Sequence, residues 1–154
     1  MSGPERSAEI AALYQEMILD HYRRPRNKGT LENADASAEM KNPLCGDEIT
    51  VQVAFNGSGV GDLRFSGRGC AISQASASMM TQLVKGKDAG AIDALRIRFR
   101  EMMLGDLSAV TDEKLGSLRA LSGVARFPAR VKCALLAWNA LETALSERAP
   151  PLGT

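Results

Sequence analysis

The sequence predicts an α+β fold, a small antiparallel three-stranded sheet with helices packed on one face. Three observations carry that prediction. Residues 49–55 alternate, with Ile49, Val51, Val53 and Phe55 on one face and Thr50, Gln52 and Ala54 on the other. That period of two belongs to a half-buried strand. Asn56-Gly57-Ser58-Gly59 then supplies turn chemistry, so residues 60–66 return antiparallel with Leu63 and Phe65 inward. The rest of the chain is dominated by apolar residues at helical spacing.

The elements follow in order. Residues 7–24 read as a helix with Ile10, Leu13, Tyr14, Met17, Ile18 and Tyr22 as its buried face, Ser7 as cap and Pro25 as stop. His21, in register with Met17, reads as a packing or capping residue. The basic run Arg23-Arg24-Pro25-Arg26-Asn27-Lys28 reads as a solvated helix exit, with docking to an acidic partner as the other reading. Residues 30–41 are polar and irregular, with one short strand before Asn42. After the hairpin, Cys70 opens a helix whose stripe is Ile72, Ala75, Met79 and Leu83, while Ser73, Ser76 and Ser78 keep it narrow. Residues 88–104 form the next helix, with Ile92, Leu95, Phe99 and Met102 inward. Residues 105–127 are less regular, with a helical piece near 115–121. Pro128, a favoured first helical residue, opens the last helix, which reaches about Glu147. Its stripe is Val131, Ala134, Leu135, Trp138, Leu141 and Leu145, with Cys133 at the edge.

Bulk properties narrow the function. The chain of 154 residues is expected to be one domain, with its core at about residues 7–147 and a flexible tail at 148–154. A net charge of +1 gives no field to recruit nucleic acid or an anionic membrane. No apolar run approaches a membrane span. Three cysteines cannot all pair within the chain, which points to a reducing, cytoplasmic setting. With one histidine, a metal site here must be built mostly from sulfur and carboxylate.

The chemistry centres on Asn42-Pro43-Leu44-Cys45-Gly46-Asp47-Glu48. In an extended segment Cys45 and Asp47, two apart, face one target together, and Gly46 lets the backbone fold tightly around it. That target is a metal ion, or a sulfur atom attacked by Cys45. Cys70 lies at a helix N-terminus, where the dipole favours thiolate. Cys45, Asp47, Cys70 and Cys133 together make four donors, the number tetrahedral zinc takes. Arg130, three residues before Cys133, and Lys132 beside it offer positive charge against the thiolates. The bland reading is that these are buried cysteines acting as small hydrophobes.

The set Asn42-Pro43-Leu44-Cys45-Gly46-Asp47, Gly67-Arg68-Gly69-Cys70-Ala71-Ile72-Ser73-Gln74-Ala75-Ser76 and Phe127-Pro128-Ala129-Arg130-Val131-Lys132-Cys133-Ala134 resembles the SufU/IscU (NifU N-terminal-like) family. The resemblance covers about residues 10–145. Scaffold-type members carry histidine directly before the third cysteine. Here that residue is Lys132, and residues 105–126 look longer; both are similar to the SufU branch. The resemblance implies zinc held by Cys45, Asp47, Cys70 and Cys133, with a pyridoxal-phosphate cysteine desulfurase of SufS type as partner. It also implies that Cys45, freed by ligand exchange, accepts persulfide sulfur bound for a downstream iron–sulfur scaffold. In that account Asp47 tunes the site's lability and Arg130 neutralises the freed thiolate. Two other readings stand beside it: a scaffold for a [2Fe–2S] cluster, and an adaptor with a static structural zinc.

Overall fold

The computed structural model describes residues 3–147, and the side chains of residues 8–147. The tail expected to be flexible lies outside the described residues. Helix α1 (Gly3–Arg23) leads into strands β1 (Ala36–Asn42), β2 (Asp47–Asn56) and β3 (Gly59–Arg68). Helices α2 (Ala71–Val84) and α3 (Ala89–Met103) follow, then 3-10 segments Leu107–Thr111 and Glu113–Arg126, and finally α4 (Pro128–Ser146).

The sheet is antiparallel in the order β1-β2-β3, as the alternation required. On β2 the buried residues are Asp47, Ile49, Val51 and Val53, while Glu48, Thr50 and Gln52 are only half-buried. Helix α4 covers β1 and β2, and α2 packs against β3, so the helices lie on one face. Asp47 thus occupies the end of an otherwise apolar inward row. The Ser stripe of α2 does what small residues allow, and Ser76 Oγ donates to the Ala134 carbonyl of α4 at 2.6 Å. Behind them Trp138 of α4 meets Phe99 of α3 at 5.5 Å between ring centroids, a pairing worth about 0.5–1.5 kcal/mol beyond its burial.

Several expectations change. Helix α1 starts at Gly3, so Ser7 lies inside it and is no cap. Its inward face is rotated: Tyr14, Met17 and Ile18 are half-buried and His21 is buried, whereas Ile10, Leu13 and Tyr22 are exposed. A polar His21 that finds a partner outcompetes Tyr22 for the interior, because burial is tolerated once its hydrogen bond is met. On α4 the buried stripe is centred on Cys133, Leu136, Ala137, Ala140 and Ala144 beside Ala134, Trp138 and Leu141. Val131, Leu135 and Leu145 are only partly buried against it. Small residues win there because α4 lies between the sheet and α2 and must approach both closely. Residues 113–126 are helical throughout apart from a kink at Gly116, a longer run than expected.

The basic run is solvated at Arg23, Arg24 and Lys28, as expected, and is also a stitch. Arg26 pairs with Asp20 at 2.7 Å, and its amide donates to Ser78 Oγ at 2.8 Å. Asn27 takes a left-handed φ of 58°, which Asn tolerates, and its carbonyl accepts from the Phe65 amide of β3 at 3.0 Å. Lys28 Nζ reaches Gln74 Oε1 at 3.0 Å. The segment therefore ties α1 to β3 and α2.

Candidate metal centre

Three chain segments meet at one end of the sheet. The first is the hairpin between β1 and β2, where Asn42 pairs with Asp47 and Pro43-Leu44-Cys45-Gly46 form the loop. The loop is closed by Cys45 N–H donating to the Asn42 carbonyl at 3.1 Å. Gly46 has φ of 70°, a conformation costly for side-chain-bearing residues. Cys45 and Asp47 are therefore joined by a turn and not, as expected, by an extended segment with alternating faces. The left-handed Gly46 brings the thiol back over the carboxylate.

The second segment is the junction of β3 and α2. Cys70 is the N-cap of α2, with its own side chain making no capping bond. Asp47 of β2 caps this end of the helix from outside. Its Oδ1 accepts from the Cys70 amide at 2.8 Å and from Ser73 Oγ at 3.2 Å. A Cβ on Gly69 would collide with Asp47 Oδ1 and Ser73 Oγ, so the carboxylate sits in space that glycine leaves open. Asp47 Oδ2 faces the Cys70 sulfur at 3.9 Å.

The third segment is the start of α4, which delivers Cys133 fully buried. Among the described residues one group of potential metal donors forms: Cys45, Asp47 and Cys133, with donor atoms all within 4.8 Å of one another. Cys70 is not in that tight group and joins it through Asp47 Oδ2. Burial pushes the Cys133 thiol far up, and the neighbouring Asp47, Cys45 and Cys70 push it further. Asn42 Nδ2, buried beside it, lies 3.7 Å from the Cys133 sulfur.

Of the two cations expected nearby, Arg130 engages the thiols. It is held more firmly in its charged form, first by a hydrogen bond with Cys133 and then by its electrostatic interaction with the Cys70, Cys133 and Cys45 sulfurs. Lys132 is exposed beside Cys133. His21 is remote in role: its Nδ1 meets Ser78 Oγ at 2.7 Å on α2. Asn42 and Ser73 were not among the site residues expected from sequence. Ser73 carried a usable signal, since it stands three residues after the N-cap, where side chains bond helix-terminal groups.

Three thiols and a buried carboxylate thus gather where a hairpin, a helix start and a second helix meet, and the chain that builds this site has known relatives. The family described as NifU-like N terminal domain matches residues 13–147. The chain belongs to that family, the SufU/IscU family. It is 45% identical over 141 residues to the zinc-dependent sulfurtransferase SufU of Bacillus subtilis, covering 92% of this chain and 95% of that protein. It is 43% identical over 142 residues to the iron–sulfur cluster assembly scaffold protein IscU of Streptococcus pyogenes, covering 92% and 88%. Among solved structures, a putative iron–sulfur cluster assembly scaffold protein for the SUF system of Fervidobacterium islandicum superposes with a TM-score of 0.78 at 39% identity, covering 84% of this chain and 94% of that one. The α+β architecture is thus that of the SufU/IscU family. Among the described residues no helix is long and apolar enough to cross a membrane.

Proposed function

We propose that the chain is a zinc-dependent sulfur-transfer protein of iron–sulfur cluster assembly. It accepts persulfide sulfur from a SufS-type cysteine desulfurase in the cytoplasm and yields it to a downstream scaffold. The observation that carries this reading is the placement of Cys45. It is the half-exposed member of the tight donor group, on a hairpin loop beside exposed Leu44, while Asp47 and Cys133 are buried behind it. A partner can reach Cys45 without unfolding the site.

The donor set fits zinc. Sulfur and carboxylate oxygen are ligands it takes, and Cys45, Asp47 and Cys133, with Cys70 adjoining, supply its usual number of four. The buried Cys133 thiol, strongly resistant to ionisation alone, is the kind of group that metal binding deprotonates. When bound, zinc supplies thiolate character at neutral pH.

The rest is done by the chain. Cys45 Sγ, as thiolate, attacks the outer sulfur of the desulfurase persulfide. The new bond joins that sulfur to Cys45, the partner's own sulfur–sulfur bond breaks, and the partner leaves as thiolate. Electrons balance without a further oxidant or reductant. Arg130, whose charge is tied to the thiols, offsets the negative charge that accumulates. Asp47 is held by α2 and keeps the hairpin in place.

A second reading is supported by the scaffold relatives, since the same thiolates suit a [2Fe–2S] cluster. Lys132 stands before Cys133 where scaffold-type members carry histidine, and that difference favours zinc. Metal content, visible absorbance and desulfurase turnover with and without the protein decide between them. One zinc per chain, no colour and faster turnover support sulfur transfer. Iron with acid-labile sulfide and a brown colour would replace it with the scaffold.

A further inference from the structure

We propose that Ser73 is a positioning residue for Asp47: its hydroxyl, with the Cys70 amide, occupies Oδ1 so that the carboxylate meets a metal ion through Oδ2 alone. This rests on reading the cluster as a metal centre. The two carboxylate oxygens have different surroundings. Oδ1 accepts from Cys70 N–H at 2.8 Å and from Ser73 Oγ at 3.2 Å, inside the notch left by Gly69. Oδ2 faces the Cys70 sulfur. An oxygen already accepting two hydrogen bonds is a weaker and more crowded donor than its twin, which meets a thiol that a metal ion would itself engage.

Ser73 has one hydroxyl proton and two acceptors in reach, Asp47 Oδ1 and the Cys70 carbonyl at 3.1 Å. The charged acceptor gains more from it. Ser73 is fully buried, so water does not compete for the proton. Asp47 therefore stays anchored to α2 whether or not Oδ2 is engaged. A ligand bond that opens leaves the carboxylate in place to close again, and the hairpin carrying Cys45 keeps its shape. Ser73 thus sets both the number of oxygens Asp47 offers and how fast the centre exchanges.

The decisive experiment uses the full chain loaded with cobalt(II) as a coloured stand-in for zinc. Ser73→Ala is expected to weaken the visible d–d bands as coordination rises above four, and to speed release of cobalt and zinc to a chelator by about tenfold or more. Ser73→Thr, which keeps the hydroxyl, is expected to retain the wild-type spectrum and release rate. Ser73→Val, close in bulk to threonine and without a hydroxyl, is expected to behave like Ser73→Ala. The proposal is overturned if Ser73→Ala matches wild type in both readouts, or if Thr and Val variants are altered equally. Wild-type protein that takes up neither cobalt nor zinc would overturn it together with the metal-centre reading, an outcome distinct from the other two.

Discussion

Asp47 on strand β2 accepts the backbone N–H of Cys70, the N-cap of α2, at 2.8 Å. One candidate ligand thereby orients the segment that carries another. The sheet and the helix layer are locked together at the site itself, so changes to this contact act on fold and chemistry at once.

Gly69→Ala is the sharpest structural test of that contact. The added methyl collides with Asp47 Oδ1 and Ser73 Oγ, so the carboxylate or α2 must move. We expect a loss of about 1–3 kcal/mol in denaturant unfolding, the usual cost of overpacking, with weaker zinc retention in dialysis against a chelator. A variant as stable and as metal-tight as wild type would contradict the packing described.

Cys45→Ala removes the proposed acceptor and leaves Cys70, Cys133 and Asp47. Incubated with persulfide-loaded desulfurase, it is expected to gain no sulfur by mass spectrometry. Full acceptance by this variant would transfer the role to another cysteine.

Arg130→Ala removes the cation tied to Cys133. The residue is exposed, so thermal unfolding of the chain is expected to hold. Sulfur acceptance is expected to slow roughly tenfold, the scale of one lost charge-assisted hydrogen bond, with Arg130→Lys recovering part of it. Unchanged rates in both variants would remove Arg130 from the mechanism.

His21 makes stability depend on pH. Burial first, and then Arg26, lower its pKa below the ordinary 6.5, because the folded site favours the neutral ring. Ser78 Oγ already accepts from the Arg26 amide, so its own proton is free to point at His21 Nδ1. The unfolded chain then binds the proton more readily than the folded one. The contribution of His21 is full above the unfolded pKa and is lost as pH falls below about 6.5 towards the folded value. Urea midpoints measured from pH 7.5 to 5.5 should fall, and His21→Gln should fall less over the same range.

Zinc removal should loosen the site end of the sheet first. A ligand that binds only the folded form stabilises it by mass action. Chelation is expected to lower the melting temperature, and amide exchange to rise at residues 42–47 and 69–73 before the centre of β2. Uniform exchange across the chain would show that the ion does not staple these segments.

The β2–β3 hairpin, the strand alternation and the helix order were legible because each rests on local periodicity and on turn residues that few conformations satisfy. Cys45, Asp47 and Cys133, the three that the structure groups tightly, also stood out as candidates, since thiols and a carboxylate in short motifs are conspicuous in a chain with one histidine. Which atoms meet was not. Gly46 replaced the expected extended geometry with a turn, which depends on the hairpin closing between Asn42 and Asp47.

Local pattern in the chain was thus enough for most element types, for the strand from Ile49 onward and for the family to which the protein belongs. The inward faces of α1 and α4 came from the packed layers, because faces compete for a shared interior and the partner settles the contest. His21 won burial through Ser78, and Cys133 through the close approach of α4 to α2 and the sheet. The roles of Ser73 and Asn42 have the same origin. A hydrogen bond between residues 26 or 91 positions apart leaves no local pattern to read, and exists only once the layers have packed.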